Sequence, residues 1–252
     1  MDPIQVQRQD NVLCATLDEP PVNALSRALL EALAAVAETV AADGTISILH
    51  LRSTGRAFCA GANLSEMRAG FADDAGLEQQ LVFVRRLQEV FARIESLGAL
   101  SIAEVGGHAL GGGFELALAC DLRIGAAEAR IGLPEVELGL VPGAGGTQRL
   151  TRLLGPSLAR RLILGAETLD GQEAARLGLL HWACPRAELP ARAQELVARV
   201  ARLPRAALAE AKACIELATR PGDQGYEREL SATRQLMTNP ETRRRVAAFL
   251  AR

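Results

Sequence analysis

A chain of 252 residues with a formal charge of −2 can bury one full core, with or without an appendage, and needs no disulfide or metal staple. Its 28 basic and 30 acidic side chains are spread over the whole length, which excludes a basic face for nucleic acid or anionic lipid. Met1 to Asn11 is polar and lacks the apolar stretch of a signal peptide, and no apolar run approaches the roughly 20 residues that span a bilayer. The expected location is the cytoplasm, with neither nucleic acid nor membrane as partner.

In chain order, Ile4 to Gln9 and Val12 to Leu17 are short, partly alternating runs joined by Asp10-Asn11, the pattern of a β-hairpin. Ser26 is placed to cap a helix reaching about Ala42, with Leu29, Leu33, Val36 and Val40 on one face. Ile46 to Leu51 is a β-branched, apolar run suited to a buried strand, and the glycine-bearing segment from Gly55 to Gly61 reads as a loop after it. Leu77 to Ser96 has helical spacing, and Leu100 to Val105 reads as a second buried strand ending at Gly106-Gly107.

Phe114 to Cys120 is a short apolar run, Leu122 to Gly125 another strand candidate, and Ala144 to Leu154 a helix ended by Gly155-Pro156. Beyond about Pro190 the composition is Ala, Leu, Arg and Glu at helical spacing, interrupted at Leu203-Pro204 and at Arg220-Pro221-Gly222. The division expected is a mixed α/β body over 1–189 and an all-helical piece over 190–252. Short, alanine-rich helices rarely make a deep core by themselves, so that piece must pack on the body, on another subunit, or on both.

The five cysteines, Cys14, Cys59, Cys120, Cys184 and Cys214, show neither a CxxC pair nor a histidine at metal spacing, so reduced, packed thiols are expected. His50, His108 and His181 are isolated in the sequence, and no metal site is expected.

Three glycine-rich segments carry the chemistry: 55–64 (GRAFCAGANL), 106–116 (GGHALGGGFEL) and 134–150 (PEVELGLVPGAGGTQRL). Glycines before a helix let backbone approach a ligand closely and leave first-turn N–H groups unpaired at the positive end of the helix. Gly111 to Gly113 before Phe114 fits that description, and such donors suit an anion or a developing oxyanion. No glycine run continues into Lys-Ser/Thr, and none has GxGxxG spacing, which removes nucleotide hydrolysis and dinucleotide binding.

Glu115, in the first turn of that helix and flanked by Phe114, Leu116, Ala117 and Leu118, is subject to opposed influences: burial raises its pKa and the helix start lowers it. Such a carboxylate is suited to exchanging a proton with water. Glu135 follows Pro134, and Glu137, two residues on, points to the opposite side if the backbone is extended. Spacing alone leaves the choice between Glu135 and Glu137 open, and does not place either against Glu115.

The three segments, in this order and at these separations, resemble the signature of the crotonase (enoyl-CoA hydratase/isomerase) superfamily, and the resemblance runs from the first hairpin to the last helix. It implies an α/β fold, a crotonase-like spiral of ββα units with a C-terminal all-helical trimerisation region, assembled as homotrimers and often as hexamers. It implies an oxyanion hole on the backbone N–H groups of Ala62 and Gly112, catalytic carboxylates at Glu115 and Glu135, and substrate contacts at Ala60, Ala62, Asn63, Leu64, Ser65, Gly112 and Gly143. Gly143 matches a position whose N–H helps place a water; Asn63 stands where Asp is commoner. The implied substrate is an acyl-CoA thioester, with CoA part of the substrate and no separate cofactor.

The implied reaction is hydration of a 2-trans-enoyl-CoA to the 3-hydroxyacyl-CoA in fatty-acid or related metabolism, with Glu115 as base toward the water and Glu135 as proton source for C2. Relatives that isomerise 3-enoyl to 2-enoyl thioesters generally need only the glutamate at the Glu135 position, so the presence of both favours hydration over isomerisation. Other acyl-CoA chemistry on the same oxyanion hole, and a relative that only binds CoA esters or RNA, are the remaining alternatives. Glu104, where relatives are usually small, is expected to be a surface or interface charge. Gly106 stands where Asn is common. The acyl-pocket wall is expected between Met67 and about Arg86. Arg252 falls near a basic position that meets the CoA 3′-phosphate in relatives, though Arg243 to Arg245 compete for that role.

Overall fold

The structure, a computed structural model, describes residues 2–69, 73–218 and 224–250. Strands β1 (Ile4–Gln9) and β2 (Val12–Leu17) form the expected antiparallel hairpin, and Asp10 takes the left-handed conformation the turn needs, with φ 51°. The hydroxyl of Ser26 accepts from the Leu29 N–H at 3.0 Å and starts α1 (Arg27–Ala42). Leu29, Leu33, Val36 and Val40 of that helix are buried.

Strand β3 (Ile48–Ser53) begins two residues later than Ile46, because the Ile46 N–H is still tied to the Asp43 carbonyl in the turn after α1. The segment read as a loop contains a strand, β4 (Ala57–Cys59), all three residues of which are buried. Then follow α2 (Leu64–Ala69), α3 (Asp74–Glu95), β5 (Leu100–Val105), β6 (His108–Leu110), α4 (Gly112–Leu118), β7 (Leu122–Ala126) and β8 (Arg130–Gly132). A 3-10 turn over Glu135–Leu138 leads to α5 (Gly146–Leu164), β9 (Leu169–Asp170), α6 (Gly171–Arg176) and β10 (Trp182–Cys184). Gly155, with φ 75° and ψ 166°, does break the helix as expected, but the chain resumes helical geometry at Pro156, where a ring without an N–H costs nothing in a first turn.

Two sheets result. One has the order β1-β2-β3-β5-β7-β10, parallel from β2 to β10; the other is β4-β6-β8-β9, parallel except for its last pair. The repeats β3-β4, β5-β6 and β7-β8 therefore each lay one strand in the large sheet and one in the small sheet before a helix, and the chain advances as a spiral of ββα units. The body is mixed α/β with a parallel sheet, and a helical region ends the chain.

That region comprises α7 (Leu189–Ala201), α8 (Arg205–Ala218), α9 (Gln224–Thr238) and α10 (Pro240–Leu250). Helix α7 buries Leu189, Ala193, Leu196, Val197 and Val200 against β3, β5 and β7. Among described residues, α8 to α10 bury only Ala232, and α8 is fastened to the body by Lys212–Asp121 at 2.9 Å and by Arg205 Nε donating to the Ile46 carbonyl at 3.0 Å. The expected break at Arg220-Pro221-Gly222 lies outside the described residues.

Two side chains depart from expectation. Glu104 is no surface charge in this chain: it is 8% exposed and its Oε2 lies 2.9 Å from His50 Nε2. His50, isolated in sequence, finds this partner because β3 and β5 are neighbours in the sheet.

Candidate active site

Strand β6 passes to α4 through Gly111, whose φ of 52° and ψ of −129° lie in a region closed to residues with a Cβ. The N–H groups of Phe114 and Glu115 both donate to the Gly111 carbonyl, at 2.8 and 2.9 Å. The N–H of Gly112 precedes the first intrahelical bond and has no acceptor among the described residues.

Beside it runs 60–63. Leu25 and Ala62 form an isolated parallel bridge, in which Leu25 N–H donates to the Gly61 carbonyl at 2.7 Å and Asn63 N–H to the Leu25 carbonyl at 3.3 Å. Backbone groups alternate along an extended chain, so the N–H of Ala62 points away from Leu25 and has no acceptor among the described residues. The two segments nearly touch: a Cβ on Gly61 would sit 3.4 Å from Gly112 N, and one on Gly112 would sit 3.8 Å from Gly61 Cα. Two unpaired donors thus stand within a residue of one close backbone approach.

Glu115 is 2% exposed, and its Oε1 accepts from the Gly146 N–H at 2.6 Å. Burial pushes its carboxyl up to about 7; the Gly146 N–H opposes this, the neighbouring Glu135 charge reinforces it, and the Ala144 backbone and Arg149 oppose it again. Glu135 is half-buried in the 3-10 turn, and burial raises its carboxyl too, against its own backbone N–H. Its Oε2 is buried with no hydrogen-bond partner among the described residues.

The two carboxylates border adjacent glycines: a Cβ on Gly111 would be 3.0 Å from Glu135 Oε1, and one on Gly112 would be 3.8 Å from Glu115 Oε2. The backbone over Glu135–Leu138 is 3-10 rather than extended, and Glu137 is exposed. Geometry therefore brings Glu135, and not Glu137, against the Gly111 turn beside Glu115.

The loop that holds Glu115 is itself held. Gln88 of α3 donates to the Gly143 carbonyl at 2.7 Å; Arg149 of α5 donates to the Ala144 carbonyl at 3.0 Å and to Glu95 of α3 at 2.8 Å. Gly146, Arg149, Gln88 and Glu95 escaped the sequence reading as site residues. Gly146 and Arg149 stand in the third glycine-rich segment, but nothing in α3 marks Gln88 or Glu95 apart from their place on a helix.

Ala60 and Ala62 are half-buried; Leu64 and Ser65 are exposed at the start of α2. Asn63 caps that helix: its Oδ1 accepts from Ser65 N and Glu66 N at 3.1 and 3.3 Å, and its Nδ2 donates to Glu66 Oε1 at 3.0 Å. Asn accepts from the first-turn N–H groups as Asp would, so the substitution at this position keeps the cap. The expected acyl wall between Met67 and Arg86 includes residues 70–72, outside the described residues; Val84 borders Gly143, 3.2 Å from where its Cβ would lie. Arg252 is likewise outside the described residues, while Arg243 and Arg245 bind the Met237 and Arg202 carbonyls.

A carboxyl titrating near 7, a second raised carboxyl with an unpartnered oxygen, and two unpaired N–H groups form a set able to move protons beside a developing oxyanion. Among known proteins, the enoyl-CoA hydratase/isomerase family matches the chain over residues 7–251. The chain is 38% identical to the 2,3-dehydroadipyl-CoA hydratase of Escherichia coli over 239 residues, 94% of this chain and 90% of that one. It is 39% identical to a probable enoyl-CoA hydratase of Bacillus subtilis over 202 residues, 80% and 77% of the two chains. A crystal structure of enoyl-CoA hydratase from Bacillus anthracis superposes with a TM-score of 0.93 at 33% identity, covering 99% of this chain and 96% of that one.

Proposed function

The chain belongs to the enoyl-CoA hydratase/isomerase family, and we propose that within it the protein hydrates 2-trans-enoyl-CoA thioesters to 3-hydroxyacyl-CoA. The observation that carries this reading is the pair of carboxylates, buried Glu115 and half-buried Glu135, that stand against the neighbouring glycines Gly112 and Gly111. Removing a proton from water and delivering one to C2 needs two groups able to exchange protons near neutrality; migration of a double bond needs only one.

In this reading the thioester oxygen lies against the N–H groups of Ala62 and Gly112. Water adds to C3 while negative charge moves into that oxygen, where each donor contributes most; loss of one such donor costs about 3–4 kcal/mol elsewhere. Glu115 takes the proton from water, Glu135 supplies the proton to C2, and the Gly143 N–H helps to place the water. The two carboxyls interact, so their titration belongs to the pair. Ala60, Asn63, Leu64 and Ser65 border the CoA moiety through their backbone. Addition of water transfers no electrons to an outside acceptor, so CoA enters as part of the substrate and no separate cofactor is assigned.

Purified protein mixed with crotonyl-CoA should bleach the conjugated thioester absorbance, and Glu115→Gln and Glu135→Gln should each slow this by orders of magnitude while CoA esters still bind. Inactivity toward short and long 2-enoyl-CoAs, with a 3-enoyl-CoA gaining conjugation, would replace hydration by isomerisation. Near-normal turnover in either variant removes that residue from the mechanism.

A further inference from the structure

A second cluster of reactive side chains lies across three neighbouring strands of the large sheet, and none of its members takes part in the site above. Cys14 on β2 is in register with His50 on β3, and His50 Nε2 is 2.9 Å from Glu104 Oε2 on β5. Residues in register on neighbouring parallel strands turn their side chains to the same side of the sheet, so the His50 ring stands beside the Cys14 thiol, and each affects the other's ionisation. The fully buried Leu13, Ala15 and Leu17 alternate with half-buried Val12 and Cys14 along β2, so Cys14 faces the other side of the sheet and keeps access to small molecules.

A thiol beside an imidazole that is itself bonded to a carboxylate supplies the components of an activated sulfur nucleophile, the carboxylate fixing the ring and the ring activating the thiol. From this arrangement we propose that Cys14 is a modification site that reacts with hydrogen peroxide, with His50 and Glu104 as its positioning residues. The step is balanced within the cluster. The Cys14 thiolate attacks one peroxide oxygen, an S–O bond forms as the O–O bond breaks, and the departing hydroxide takes a proton from the His50 imidazolium. Sulfur is oxidised to a sulfenic acid, and the peroxide is reduced to water.

The charges around the thiol support its ionisation. Burial opposes it, but the hydrogen bond and charge of His50, with Arg52 on β3 and the Thr16 hydroxyl on β2 behind it, hold the Cys14 thiol below its ordinary range. Burial also opposes charge on His50, yet its bonds to Cys14 and Glu104 push the imidazole up to about 9. Arg52 Nε donates to Thr16 Oγ1 at 3.0 Å, and that oxygen lies 3.9 Å from Cys14 Sγ. From β10, the Cys184 thiol is raised by burial and Glu188, against Arg192, with smaller contributions from Glu128 and from Glu104 itself. The half-buried Cys184 and Cys214 are therefore internal controls of comparable access without an imidazole partner.

The test treats the full-length protein at pH 7 with a few equivalents of hydrogen peroxide, traps sulfenic acid with dimedone, and maps the adducts by peptide mass spectrometry. The adduct should be confined to the Cys14 peptide and should form about tenfold more slowly in His50→Asn. An ordinary thiol is only a few per cent ionised at pH 7, and the greater nucleophilicity of a less acidic thiolate offsets only part of that loss. Since a buried substitution can disturb the fold, the wild-type protein supplies the second measurement: alkylation of Cys14 by iodoacetamide should show a midpoint below the roughly 8.5 of a free thiol. Equal labelling of Cys14, Cys184 and Cys214, an unchanged rate in folded His50→Asn, or a midpoint at or above 8.5 overturns the proposal.

Discussion

Glu115 is held by one strong backbone bond and a low-dielectric surround, and both its function and its cost follow from that. A carboxyl raised from 4.5 to about 7 keeps its contribution to stability below the lower value and loses it as pH climbs through the upper one, because the fold then carries a buried charge. Glu115→Gln, which keeps the acceptor oxygen for Gly146 and removes the charge, should therefore match the wild type near pH 4 and gain on the order of 3 kcal/mol over it above pH 8. Thermal melts that stay parallel across that range would count against the assignment.

If Glu115 is the base, kcat/KM for crotonyl-CoA should rise through an acidic limb centred near 7, since that ratio reports the free enzyme. Gly146 is the third probe: a Cβ there would sit 2.8 Å from Glu115 Oε1 and 2.9 Å from the Pro142 Cβ. Gly146→Ala should cost about 1–3 kcal/mol by overpacking and lower turnover by roughly 100-fold or more by displacing the carboxylate. Wild-type turnover in this variant would show that the carboxylate tolerates displacement. At this scale the sequence made Glu115 legible through its glycine context, but spacing alone could not choose between Glu135 and Glu137, because a 3-10 turn and an extended segment share one local pattern; only the family resemblance selected Glu135.

The loop over 142–146 owes its shape to the helices on either side of it. Arg149 links the Ala144 carbonyl to Glu95, and Gln88 takes the Gly143 carbonyl; with these contacts the Gly146 N–H is aimed at Glu115 before substrate arrives. Arg149 also lowers the Glu115 carboxyl, so Arg149→Leu should move the acidic limb of kcat/KM upward and reduce kcat more than it raises KM. Glu95→Gln should do the same more weakly, since Arg149 keeps its charge but loses its tether. A fall in stability with an unmoved pH profile would make the clamp structural only. Helices and the long strands could be read from the sequence because periodicity over many residues is robust. Strands β4, β6 and β8, three residues each, could not, because so short a run shows no period and glycines around it read as loop. The same shortness hid the second sheet, on which the close approach of 60–63 to Gly112 depends.

Across the whole chain, apolar surface is distributed unevenly. The body exposes some apolar side chains, Val82, Leu138, Val141 and Leu164 among them, but sets them against a large buried core, whereas the described residues of α8 to α10 bury only Ala232 and leave Ile215, Tyr226, Leu230, Met237, Val246, Phe249 and Leu250 between 54% and 79% exposed. On α9, Tyr226, Leu230 and Met237 recur at spacings of four and seven, so they share one face. No described helix is long and apolar enough to cross a membrane. A contiguous exposed apolar face marks an interface, and we propose that copies of the same chain cover it, as the family resemblance implies and as closed symmetry allows. The expected assembly is the homotrimer, alone or paired into a hexamer. Sedimentation velocity at micromolar concentration should give a trimer or larger, and Leu230→Glu combined with Phe249→Glu should shift it toward monomer and lower Tm. Each buried leucine or phenylalanine contributes about 1.5–3 kcal/mol, and a charge placed in an apolar interface adds a desolvation penalty. A monomeric wild type, or a double variant that assembles as before, would place the interface elsewhere and leave the apolar face of α9 without a partner.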